Sequence, residues 1–69
     1  MKLNTLKLDE LYYLHELTKN NIDYLFRNMQ INQNDSKRYD IFSKKHLLNQ
    51  NKLRLILEEI NKRIENIEG

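Results

Sequence analysis

The sequence predicts an all-α protein built as an antiparallel two-helix hairpin. Three observations predict it. The 69 residues include no Pro and one Gly, the last residue, so nothing inside the chain breaks a long helix. Large aliphatic residues recur at helical spacing, most clearly Leu53, Leu57, Ile60, Ile64 and Ile67, a seam of the kind one helix uses to pack lengthwise on another. One stretch alone, Asn32 to Ser36, is continuously short, polar and turn-prone, because its side chains bond nearby backbone.

The first helix is expected from about Leu6 to Ile31. Asn4 or Thr5 can cap it, and Asp9 and Glu10 sit in its first turn, where acids favour the positive end of the helix dipole. At 100° per residue, Leu8, Leu11, Leu14, His15, Thr18, Ile22, Leu25, Phe26 and Met29 fall in one arc, the expected core face. Leu6, Tyr13, Leu17, Tyr24 and Ile31 form a second stripe on another side. Lys2, Asp9, Glu16, Lys19, Asn20, Asp23 and Arg27 fill the remaining sector. Asn20-Asn21 is a weaker break that would divide this helix and give three helices in all.

After the loop at 32–36 the second helix is expected over about 37–66, near 45 Å long at the standard rise, with Asp35 or Ser36 as its cap. Its core arc holds Tyr39, Phe42, His46, Asn49, Leu53, Ile56, Leu57, Ile60, Ile64 and Ile67. It too carries a second stripe, Ile41, Leu48 and Leu55, seven residues apart. A short loop between long helices makes them antiparallel neighbours.

A helix that packs on one neighbour needs one apolar stripe, and both of these have two. When the core arcs face each other, both second stripes lie on the same side of the hairpin. A single domain over 1–69 supplies little net stability, and chains of this size usually add disulfides, a metal or a partner. The sequence has no Cys, and its two His have no Cys with which to share a site. The expected solution is therefore association: a homodimer closing into a four-helix bundle, or docking of that side on a larger protein.

The residue types argue against chemistry. His15 and His46 fall near the core arcs, where histidines at the edge of an interface are commoner than a metal or catalytic pair. Asp9-Glu10 and Glu58-Glu59 are sequence neighbours, which diverge by 100° on a helix and cannot converge on one bond. No internal Gly exists to build a phosphate loop. The expectation is a non-enzymatic protein with no cofactor. Asn49 and Gln50 interrupt the apolar run of the second helix. Either they fix the register, as a polar core residue can, or this half of the helix is simply less buried.

From Lys37 to Arg54 there are six basic residues against one acid, Asp40, although the formal net charge is only +2. Arg38, Lys45 and Lys52 recur every seven residues on one flank of Ile41, Leu48 and Leu55, with Lys37 and Lys44 on the other. Apolar residues ringed by bases suit an acidic protein surface. They also suit phosphates, with Tyr39 available for stacking, or merely solvent. Tyr13 and Tyr24 read as contacts, since Tyr buries a ring and keeps its hydroxyl wet.

The functional expectation is a small protein–protein interaction module, a regulator or inhibitor that lays a helical face on a larger partner. A nucleic-acid-binding hairpin and a structural assembly subunit are the alternatives. The abundance of Asn, Lys and Ile, with no Ala or Val, resembles coding by an AT-rich genome, as of a low-GC bacterium or its phage. No apolar stretch approaches a membrane span, and Met1 to Asp9 lacks the apolar core of a signal peptide, so a cytoplasmic location is expected.

Overall fold

The computed structural model describes residues 3–68, and side chains through Asn66. A short 3-10 turn, Leu3–Thr5, leads into α1 (Leu8–Ile31), and four residues later α2 begins (Ser36–Glu68). All regular structure among the described residues is helical. The pair forms a rod of 51 × 17 × 15 Å.

The caps explain the boundaries. The first helix starts at Leu8 rather than Leu6, because Lys7 and not Asn4 or Thr5 takes the capping position: its N–H donates to the Glu10 carboxylate at 2.9 Å. The Glu10 N–H donates in turn to Asp9 Oδ1 at 3.0 Å. At the other end the Asn32 N–H closes the last turn on the Asn28 carbonyl at 3.0 Å. Asp35 caps α2 by accepting the Arg38 N–H at 3.2 Å. The helix runs unbroken through Asn20-Asn21, so there are two helices and not three. Asn costs a helix interior only a few tenths of a kcal/mol, roughly, and the flanking Thr18 and Ile22 both turn inward.

Burial is concentrated at the end of the rod that carries the chain termini. Leu11, Ile56 and Ile60 form the core cluster, with Leu3, Leu6, Leu8, Leu14 and Ile64 packed against it. Thr18 is also buried, its hydroxyl donating to the Leu14 carbonyl at 2.8 Å, and Leu25 is the remaining buried aliphatic. The seam drawn through Leu57 is rotated: Leu57 is half-exposed and Ile56 takes the centre with no exposed surface. Neighbours on a helix diverge by 100°, so with Ile56 and Ile60 facing α1 Leu57 turns to the edge, and Leu3 and Leu6 pack against the cluster that Ile56 joins. The side chain of Ile67 lies outside the described residues.

Arg63 fastens that segment. Its guanidinium donates to the carbonyls of Leu6 and, at 3.0 Å, Leu3, while Nε meets the Glu59 carboxylate at 3.1 Å. Arg63 and Glu59 are only 21% and 18% exposed, so water screens the pair little. Charge-assisted bonds of this kind are the stronger ones in proteins.

The opposite end is open. No residue from 36 to 55 is buried. Phe26 and Tyr39, expected on the core arcs, are about half exposed, because no third segment covers the turn as the N-terminus covers the other end. Asn49 donates to the Lys45 carbonyl on its own helix at 2.8 Å. That bond leaves α1 untouched, and this half of the helix is the less buried one.

The rod exposes 5584 Å², whereas a compact monomer of this mass exposes about 4,650 Å². Its radius of gyration is 14.9 Å, against roughly 11 Å for a compact chain of this length.

Candidate interaction surface

The surface rests on one geometric fact. Phe26 and His46 stand side by side, ring centroids 6.0 Å apart and planes tilted by 41°. The helices are antiparallel, so stepping back two residues from Phe26 and forward two from His46 keeps the same height. Tyr24 is therefore level with Leu48. Steps of seven from there put Leu17 level with Leu55, and Ile31 level with Ile41. The two second stripes thus form three rungs across one side of the rod.

These residues are open to solvent. Tyr13, Tyr24, Ile31 and Leu48 are 67%, 63%, 79% and 68% exposed, and Leu17, Ile41 and Leu55 are about half exposed. Leu6 is placed differently. It precedes α1 and packs against the core cluster, and it also forms the lip of an open groove of about 500 Å³ with Asp9, Glu10, Tyr13, Leu14 and Leu17. That groove joins the core to the Tyr13–Leu17 end of the stripe. A second hollow, about 420 Å³, lies at the turn between Phe26, Met29, Gln30, Gln33 and Tyr39. Leu47 is a further exposed aliphatic that belongs to neither stripe.

The basic residues around the α2 row are unequal. Arg38 is held by Asp35 at 3.6 Å and Lys44 by Asp40 at 3.0 Å, both exposed pairs within one helical turn. Lys37, Lys45 and Lys52 have no ion pair among the described residues, and Lys52 is half-buried beside the row. Two of the five charges are thus partly neutralised before any ligand arrives.

The two histidines stand apart. His46 meets Phe26 with its ring tilted, and His15 sits some eleven residues further along the rod, on the order of 16 Å away. No group of three or more His, Cys, Asp or Glu comes together among the described residues. Every buried side-chain polar atom among them has a partner. No described helix is long and apolar enough to cross a membrane. The chain matches no protein-family model, no curated protein and no solved structure.

Proposed function

We propose that this chain is a non-enzymatic protein–protein interaction module, of the regulatory or inhibitory kind that works by occupying a surface. Its contact side carries Tyr13, Leu17, Tyr24, Ile31, Ile41, Leu48 and Leu55. The single observation that supports this is the excess of exposed area. The rod shows roughly 900 Å² more surface than a compact chain of its mass, close to the ~800 Å² per partner of a standard protein interface. The contact side also exposes Tyr13, Tyr24, Ile31 and Leu48 together, and contiguous apolar patches on soluble proteins often mark interaction sites. Closing into a four-helix bundle, or lying on a larger protein, would each cover it.

The nucleic-acid reading is weaker, because Arg38 and Lys44 already hold acids and only Lys37, Lys45 and Lys52 remain. Binding through so few phosphates would be slight and would fade steeply with salt.

The test is the double variant Tyr13→Glu with Leu17→Glu. It places two charges on the contact side and none in the core. The variant is expected to leave an isolated, partly helical chain by far-UV circular dichroism while losing both its native mass in solution and its retention of protein partners. A variant that keeps both would end this reading. Leu48→Lys, on the other helix, is a second substitution expected to act in the same way.

A further inference from the structure

We propose that the contact side recognises an acidic amphipathic helix of another protein, seated between the two apolar rows with its carboxylates against α2. This rests on the reading above and goes further, naming the chemistry and shape of the partner.

Charge on the contact side is lopsided. Around α2, Lys37, Lys45 and Lys52 lie within about 60° of Leu48. None of the three has an ion pair among the described residues. The antiparallel register is the reason. It sets Lys45 level with Arg27 and Lys52 level with Asn20, so α1 brings no carboxylate to either. The acids of α1 beyond its first turn, Glu16 and Asp23, are turned about 100° and 120° from Leu17. Asp40, the acid in this half of α2, is already held by Lys44 at 3.0 Å. From the Leu17–Leu55 rung to the turn, the side therefore offers apolar rows, unanswered bases and no unpaired acid.

Desolvation then selects the partner's charge. Lys52 is half-buried beside the α2 row. A surface that covers Leu48 and Leu55 takes its ammonium group, and that of Lys45, out of water. A purely apolar cover would leave both unpaired, which is costly, whereas a carboxylate on the partner's flank answers them.

Shape selects a helix. Leu17, Tyr24 and Ile31 recur every seven residues, as do Ile41, Leu48 and Leu55. That is the repeat a third helix presents when its own apolar seam lies between two others. The bases also border one row alone. Asn20, Asn21 and Asn28 flank the α1 row instead. A flat anionic surface such as a bilayer would meet charge along a single edge, while a helix with acids on one flank matches both edges.

The probe is a synthetic helical peptide of about three heptads, with a Leu seam and Glu along one flank, labelled and held far below the chain's concentration. Its counterpart carries Lys in place of Glu. The parent chain is expected to bind the Glu peptide more tightly than the Lys peptide, by about tenfold or more, with the difference shrinking as salt rises. Lys45→Glu with Lys52→Glu should invert the preference. Lys37→Glu with Lys45→Glu, both at exposed positions, should invert it too, and guards against a fold disturbed at half-buried Lys52. Equal binding of the two peptides, binding of neither at about 100 µM chain, or a preference unchanged in both variants would overturn the inference. So would a second copy that keeps its place in sedimentation against saturating Glu peptide, or anionic phospholipid vesicles that outcompete the peptide. The broader reading survives those results if Tyr13→Glu with Leu17→Glu still abolishes capture of a protein partner, so the two failures are distinguishable.

Discussion

The two ends of the rod use similar residues to different effect. At the terminal end, Leu11, Ile56 and Ile60 close a core under a strap formed by Leu3 and Leu6, and Arg63 ties the strap down. At the turn, Phe26, Met29, Tyr39 and Phe42 are as apolar and stand at the same helical spacing, yet none is buried. Two helices alone leave each other half uncovered. A third element, even a short one, completes one end, and no described residue does so at the other. Helical pattern therefore specifies where a core could form, while coverage decides where it does.

That contrast can be broken most severely at its strong end. Ile56→Ala removes the centre of the core cluster and should cost about 3 kcal/mol, within the usual range for emptying such a site. In a domain this small that is a large part of the total. The urea midpoint at fixed chain concentration measures it, and a loss below about 1 kcal/mol would mean that the cluster contributes less than its burial implies. Arg63→Gln should come next, at about 2 kcal/mol, since two carbonyls and Glu59 lose a charged partner together. It should also raise amide exchange at Leu6, whose N–H bonds the Leu3 carbonyl at 3.2 Å, while leaving exchange near Tyr39 unchanged.

The turn end should respond more weakly. Asp35→Ala removes the cap of α2 and the acid beside Arg38, with an expected loss of about 1 kcal/mol, seen as faster exchange over the first turn of α2. Lys44→Ala breaks an exposed ion pair with Asp40 and should shift stability by less than about 0.5 kcal/mol. If the turn-end changes proved as costly as Ile56→Ala, the two ends would not differ in the way their burial indicates.

Much of this fold can be read from spacing. Leu11, Thr18 and Leu25 recur every seven residues, and the same rule places Ile56 and Ile60 on the inner arc of α2. The turn is visible because Asn32, Asn34 and Asp35 compete for backbone. The strap is not visible. Arg63 finds its partners at main-chain carbonyls of Leu3 and Leu6, about sixty residues away, and a carbonyl carries no residue identity. The only hint lies in Leu3 and Leu6 themselves, two aliphatic residues ahead of the helix start. Ile56 and Leu57 both fell on the expected arc, and only the packed pair of helices shows that Ile56 takes its centre and Leu57 its edge. The second stripes were legible as a pattern. Their common height required the Phe26–His46 contact, which no single-helix reading supplies.

The central proposal is that one chain cannot cover its own apolar side and that association, with a second copy in the simplest case, covers it. Urea unfolding of the parent chain across a hundredfold range of concentration tests this most directly. Coupled folding and pairing predict a midpoint that climbs with concentration, equivalent to about 1.4 kcal/mol for each tenfold increase. Superimposable curves over the whole range would show a chain that folds alone, with Tyr24, Ile31 and Leu48 content in water, and would contradict the claim.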